Sequence, residues 1–97
     1  MRIISKKILR EFWAVHPDAE QPLKAWHAKV KFAKWKTSSD IKSDYINASF
    51  IANDRVIFNI KGNTYRLVAA VNYDFGFIYI RFVGSHKEYD KINSAII

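Results

Sequence analysis

The chain has 97 residues, of which 49% are hydrophobic and 15% aromatic, so we predict one compact domain over residues 1–97. It has no cysteine, which excludes disulfides and thiolate metal sites or nucleophiles. No apolar run approaches the ~20 residues that span a bilayer, and the N-terminus lacks the apolar core of a signal peptide. We therefore expect a soluble cytoplasmic protein without a metal or other cofactor. Its net charge of +7 favours polyanionic partners.

A short strand and an amphipathic helix are predicted at the N-terminus. Residues 2–4 suit a short strand, and Ser5 suits the N-cap of a helix after it. Apolar side chains then recur at helical spacing, at Ile8, Leu9, Phe12 and Val15. The helix should end at His16-Pro17, because a residue before proline disfavours helical backbone.

A second helix is predicted to begin near Asp18, with Gln21 as its capping-box partner, and to continue to Trp35. Two apolar stripes indicate that it is covered on more than one side: Leu23, Trp26, Val30 and Ala33, and Ala25, Ala28, Phe32 and Trp35. Residues 1–42 carry ten basic and four acidic side chains, against six and five in residues 43–97. This basic half is either an ordinary solvated surface or one that steers RNA, the ribosome or an acidic protein segment.

An antiparallel meander is predicted after residue 49, where the apolar period changes to two. A short helical turn is expected first, after the break at residues 37–40. Strands are predicted at 50–51, 55–60, 64–73 and 77–83, with turns at 53–54, 61–63 and 74–76.

A closing helix follows the last strand. Ser85 and Glu88 form an S-x-x-E capping box, which predicts a helix from His86 toward Ala95. The predicted fold class is therefore α+β: a short first strand, two N-terminal helices packed on an antiparallel meander sheet, and a short C-terminal helix.

The turns bring two polar segments to one end of the predicted sheet. Hairpin geometry places Arg66 beside Gly84 and opposite Phe58. Since a strand rises ~3.3 Å per residue, Lys61, Arg66 and His86 should fall within roughly 10 Å of one another. In this alternation Arg66 shares a face with Val68, Ala70, Ile78, Ile80 and Phe82, and Tyr79 and Arg81 lie on the other face. The sequence does not decide which face is open.

This cluster offers the groups needed for metal-free RNA cleavage, in which the 2′-hydroxyl attacks its own phosphate. His86 is the best candidate for acid or base, and Tyr89 and Asp90, three and four residues later, could orient it or move protons. Arg66 and Lys61 could hold the scissile phosphate. The predicted catalytic residues are Arg66, His86, Tyr89 and Asp90, and the predicted substrate-binding residues are Lys61, Lys87 and Arg81.

Each of these residues also has a purely structural interpretation. His86 could simply begin the helix, and Tyr89 could belong to an apolar stripe with Ile92 and Ile96. Lys61 could be a solvated turn residue. Asp90 could serve only as the ion-pair partner of Arg66.

Two stretches of the second half resemble the HigB toxins of type II toxin–antitoxin systems. They are residues 55–69, with the pattern F-N-x-x-G-N-x-Y-R-L, and residues 79–90, which end in S-H-K-E-Y-D. The two patterns together are fairly specific, and the N-terminal half fits the family more loosely.

The resemblance implies a RelE-like fold and an mRNA endonuclease that acts on message in the A site of the translating ribosome. It also implies inhibition by a HigA-type antitoxin with a helix-turn-helix domain, and it favours Arg66, His86 and Tyr89 as active-site residues. Two alternatives stay open: a ParE-like toxin that poisons gyrase, and a non-catalytic basic module that binds RNA or protein.

Overall fold

In the computed structural model, all 97 residues are described, and one five-stranded sheet separates two layers of the molecule. The elements in chain order are β1 (Arg2–Ile4), α1 (Lys6–Val15), a 3₁₀ turn (Pro17–Ala19), α2 (Glu20–Phe32), α3 (Ser38–Asp44), β2 (Ser49–Ile51), β3 (Arg55–Ile60), β4 (Tyr65–Asn72), β5 (Phe77–Ser85) and α4 (His86–Tyr89). The sheet order is β1-β5-β4-β3-β2. Strands β2 to β5 form the predicted antiparallel meander, and β1 adds to β5 in parallel. The predicted α+β class is therefore confirmed.

The first face of the sheet carries the main hydrophobic core. Leu67 and Ala69 of β4 point toward it and are fully buried, together with Leu9 of α1 and Leu23 of α2. Trp26 packs edge-on against Phe58 of β3, with ring centroids 5.4 Å apart. We call this the helix face, because α1 and α2 lie on it.

The second face is the one that Arg66 shares with Val68, since alternate residues of a strand point to opposite sides. Val68 and Ile57 are buried there, outside the main core cluster. After α4 the chain runs toward the β2–β3 turn, where Asn53 and Arg55 donate hydrogen bonds to the carbonyls of Ala95 and Ile97. Residues 90–97 therefore lie over part of this second face.

The register of the last hairpin differs from the prediction at one point. Arg66 does pair with Gly84, as predicted, but the pairing shifts between Val68 and Ala69. Val68 lies opposite Phe82, and Ala69 opposite Ile80, so Arg81 is an extra residue in β5. As a consequence, the predicted placement of Ile80 was wrong: it points into the main core.

The same bulge moves the residues that precede it. Ile78 belongs to the main core, whereas Tyr79 lies opposite Ala70 on the second face, so both were predicted on the wrong side. In the hairpin before it, Arg66 lies opposite Asn59 and not Phe58, a displacement of one residue. A one-residue slip reverses the side on which a residue lies, which explains these errors.

The start and the end of the second helix also differ from the prediction. Asp18 lies in the 3₁₀ turn and does not cap α2, whose N-cap is Ala19 without a side-chain hydrogen bond. The helix ends at Phe32, three residues before Trp35. Trp35 is buried beyond the helix, where its indole N–H donates to Asp44 Oδ2 at 2.8 Å and its ring stacks on Phe58. The extended chain at Ala33 lets Trp35 reach this position.

Helix α4 has only four residues, shorter than the predicted helix toward Ala95. Its capping box is present as predicted, with Ser85 as the N-cap and Glu88 at the third helical position. Beyond Tyr89 the backbone forms three-residue turns, with the N–H groups of Lys91 and Ile92 donating to the carbonyls of Glu88 and Tyr89. The chain then reaches the hydrogen bonds with Asn53 and Arg55.

Candidate active site

Arg66 lies near one end of β4, the central strand of the sheet, on the second face and with a neighbouring strand on each side. Gly84 of β5 and Asn59 of β3 flank it in the ladder. Its side chain is half-buried, and its Nη1 donates to the carbonyl of Asn63 at 3.1 Å. This bond uses one of the five guanidinium N–H donors, so others remain for a bidentate contact with phosphate.

Gly84 allows α4 to approach the sheet beside Arg66. A Cβ atom at this position would collide with the ring of Phe82 and would lie 3.2 Å from Cβ of Glu88. A larger residue would therefore push the start of α4 away from β5. The glycine brings the residues that follow it close to the Arg66 end of the sheet.

The capping box fixes the first turn of α4, where His86 is located. Ser85 Oγ accepts a hydrogen bond from the Glu88 N–H at 3.1 Å, and Glu88 Oε1 accepts one from the Ser85 N–H at 2.9 Å. The Ser85 N–H, followed by the Ser85 hydroxyl, hydrogen-bonds to the Glu88 carboxylate and lowers the pKa of Glu88, because these bonds favour its charged form. His86 is therefore held at the first helical position, directly after the strand that pairs with Arg66.

His86 and Asp90 form a pair on the exposed side of α4. The imidazole Nδ1 lies 3.1 Å from Asp90 Oδ2, and both side chains are more than half exposed. When the carboxylate accepts this hydrogen bond, Nδ1 carries the proton and Nε2 is the atom free to exchange one. Asp90 is thus the partner of His86, and not of Arg66 as in the structural alternative raised from the sequence.

The other predicted residues lie near this pair with different contacts. Tyr89 is half-buried, with its hydroxyl 3.4 Å from Ser94 Oγ. Lys87 is exposed on α4. Arg81 is exposed on β5, and its guanidinium lies 5.6 Å from the centroid of the Tyr79 ring.

Lys61 is engaged elsewhere. Its Nζ lies 2.7 Å from Asp18 Oδ2, and Asp18 Oδ1 accepts a second hydrogen bond from the Tyr65 hydroxyl at 2.6 Å. These bonds lower the pKa of Asp18 and raise that of Tyr65. Since Tyr65 points to the helix face, this ion pair holds the β3–β4 hairpin to the 3₁₀ turn and engages the Lys61 ammonium there.

Sequence reasoning did not single out two residues that contact or flank Arg66. Asn63 supplies the carbonyl that accepts from its guanidinium, and Asn59 lies directly opposite it. Both belong to the pattern F-N-x-x-G-N, which was the only signal for them. No group of three or more histidine, aspartate or glutamate side chains is arranged to hold a metal ion, and no helix is long and apolar enough to cross a membrane.

An α+β fold with helices packed on a five-stranded mixed sheet is consistent with that of a RelE-like toxin. Residues 19–92 match a family described as HigB_toxin, RelE-like toxic component of a toxin–antitoxin system. The chain belongs to this HigB toxin family.

Relatives named as HigB mRNA interferases match almost the whole chain. The mRNA interferase toxin HigB of Escherichia coli (strain K12) is 28% identical over 92 residues, which is 93% of this chain and 88% of the relative. The mRNA interferase HigB of Shigella flexneri matches equally. Another mRNA interferase HigB, from Escherichia coli O6:H1, is 23% identical over 94 residues, which is 95% of this chain and 91% of the relative.

Proposed function

We propose that this toxin is a metal-independent endonuclease that cuts mRNA with Arg66 and the His86–Asp90 pair. The observation that carries the proposal is the 3.1 Å contact between His86 Nδ1 and Asp90 Oδ2, directly after the strand that pairs with Arg66. The names of the relatives, mRNA interferases, agree with this activity.

The chemistry requires a proton acceptor, a proton donor and a cation. The base takes the proton of the RNA 2′-hydroxyl, whose oxygen attacks the adjacent phosphorus. The bond to the 5′-oxygen breaks as the acid gives that oxygen a proton, which leaves a 2′,3′-cyclic phosphate and a 5′-hydroxyl. Nε2 of His86 is the group proposed to exchange a proton with the RNA, and Asp90 orients the ring and stabilises its charged form. Arg66 would stabilise the extra negative charge on the phosphate in the transition state.

The remaining predicted residues are given supporting roles. The Tyr89 phenol could move or orient a proton, since it lies one helical turn from His86. Lys87 and Arg81 are exposed cations suited to neighbouring phosphates. Lys61 could join them only by leaving Asp18.

The setting of this reaction is the translating ribosome in the cytoplasm, and the inhibitor is a HigA-type antitoxin with a helix-turn-helix domain. Family membership supports an antitoxin partner in general. The basic residues concentrated in positions 1–42 support binding to a polyanion such as the ribosome.

The test is primer extension on cellular mRNA after expression of the wild-type chain or His86→Ala. We expect cuts at in-frame positions with the wild type and none with the variant. Cuts that persist in the variant would contradict the proposed site. Loss of supercoiling in plasmid DNA without mRNA cuts would instead point to a gyrase poison.

A further inference from the structure

We propose that β5 carries a track for single-stranded RNA, built from Phe75, Phe77 and Tyr79 with the guanidinium groups of Arg2 and Arg81. We call these five residues the β5 ladder. The inference rests on the proposed nuclease activity and extends it, because it identifies how unpaired RNA would be held on the way to Arg66 and His86.

The ladder is a continuous row of rings. The Phe75 and Phe77 centroids lie 6.4 Å apart with ring planes at 27°, and the Phe77 and Tyr79 centroids lie 6.1 Å apart with planes at 87°. The Arg2 guanidinium lies 5.8 Å from the Phe77 centroid, and that of Arg81 lies 5.6 Å from the Tyr79 centroid. Three rings thus follow one another, with the Arg2 guanidinium beside the middle ring and the Arg81 guanidinium beside the last.

Strand pairing puts this row outside the main core. Ile78 and Ile80 point to the helix face and are buried, so Phe77 and Tyr79 point to the second face. Arg2 of β1 pairs with Phe77 in the parallel β1–β5 strand pair, so its side chain also points to the second face. Phe75, in the turn before β5, is 74% exposed.

The row leads toward the candidate active site. Gly84, which pairs with Arg66 across β4 and β5, lies on the second face five residues beyond Tyr79. At ~3.3 Å per residue this is about 16 Å along β5. The bulged residue Arg81 lies between them, so a strand of RNA that followed β5 would meet a guanidinium before it reached Arg66.

Unpaired RNA is the ligand that this chemistry fits. Aromatic rings that are exposed or half-buried, as these are, can stack on bases of any sequence, and neighbouring arginines contact the phosphates. A duplex could not use the rings, because its bases are already stacked on one another. An apolar protein segment could cover Phe75 but would leave the two guanidinium groups without a counter-charge.

The first experiment measures binding separately from cleavage. The probe is a fluorescent oligoribonucleotide with 2′-O-methyl groups throughout, which cannot be cut because it has no free 2′-hydroxyl. In anisotropy titrations at fixed salt, Phe75→Ala should weaken binding about tenfold. Phe32→Ala is the matched control, because Phe32 is 78% exposed and lies 5.8 Å from a cation, Lys31, but belongs to α2. Equal affinity of the two variants would overturn the inference.

The second measurement, the salt dependence of binding, distinguishes the contribution of Arg81 from that of the aromatic rings. Arg81→Gln should reduce the dependence of log Kd on log salt by somewhat less than 1, since it removes one phosphate contact to a single strand. Phe75→Ala should leave that slope unchanged. An unchanged slope for Arg81→Gln would show that Arg81 does not contact a phosphate of the RNA.

His86→Ala distinguishes failure of the ladder from failure of the nuclease. If the nuclease proposal holds, this variant does not cut mRNA, whatever its affinity for the probe. Cleavage by the wild type with no effect of Phe75→Ala on binding would refute the ladder alone. Ladder-dependent binding without any cleavage by the wild type would refute the nuclease alone.

Discussion

The two faces of the sheet differ in what their residues do. The helix face buries Leu67, Ala69 and Ile78 against α1 and α2. The second face also buries Val68 and Ile57, but it carries the half-buried Arg66 and leads to the exposed His86. Adjacent residues of one strand therefore have different roles: Leu67 stabilises the core, and Arg66 is a candidate catalytic residue. The comparison teaches that in this small protein one sheet separates stability from the candidate chemistry.

The charge distribution supports the same division. Ten of the sixteen lysine and arginine residues lie in positions 1–42, which form mainly the helical layer. The candidate catalytic residues lie in the other half, where basic and acidic residues nearly balance. The proposed site therefore depends on the placement of individual groups, and the excess positive charge is available for long-range attraction of RNA or the ribosome.

Substitutions at two adjacent residues of β4 should give the largest effects. Leu67→Ala should lower the free energy of unfolding by about 2–5 kcal/mol, because it opens a cavity in the main core. Arg66→Ala should change stability far less but abolish mRNA cleavage. Urea unfolding and primer extension, applied to both variants, test this division. Equal losses of unfolding free energy in Arg66→Ala and Leu67→Ala would contradict this division between the two faces.

Asp90→Asn should affect activity more than stability. The amide cannot stabilise a charged imidazole as a carboxylate does, so cleavage should fall by about 10²-fold if His86 exchanges protons in the transition state. The free energy of unfolding should stay close to that of the wild type, because the pair is more than half exposed. Cleavage rates in a translation extract provide the measurement, and an unchanged rate would show that Asp90 does not act through His86.

Ser85→Ala tests the cap that holds His86. Loss of the capping box should cost about 1 kcal/mol of stability and reduce cleavage through fraying of α4. The pKa of Glu88 is lowered in the folded state, so its contribution is present above the unfolded value of about 4.3 and is lost as pH falls through the folded value. The stability difference between the wild type and Glu88→Gln should therefore shrink under acid, as urea unfolding at pH 7 and pH 3 would reveal.

Asp18→Asn should give the smallest effect, on the helix face alone. The lowered pKa of Asp18 means that its contribution is present near neutral pH and is lost as pH falls through the folded value. The variant should be slightly less stable than the wild type at pH 7, with the difference vanishing in acid. Its cleavage rate should match the wild type. A large loss of cleavage would instead indicate that the Asp18–Lys61 pair supports the site.

Local patterns predicted much of this structure. The period-two region gave the meander, and hairpin geometry placed Arg66 beside Gly84, as observed. The capping-box pattern located the start of α4 at His86. Each of these features depends on residues close in sequence or on a single turn.

The features that the sequence did not reveal depend on distant contacts. The bulge at Arg81 leaves no periodic signal, yet it decides that Tyr79 lies on the second face. Asp18 looked like a helix cap, but Lys61 and Tyr65, more than forty residues away, bind its carboxylate instead. Tertiary contacts of this kind override local preference.

The most direct measurement is the rate of mRNA cleavage in a translation extract by two histidine variants, one on each side of the molecule. His86→Ala removes the proposed proton-exchanging group, and His27→Ala removes a histidine of α2 whose pKa is lowered, chiefly by burial. We expect a loss of at least about 10²-fold for His86→Ala and a rate near the wild type for His27→Ala. Equal rates for the wild type and His86→Ala would contradict the site proposed for this toxin.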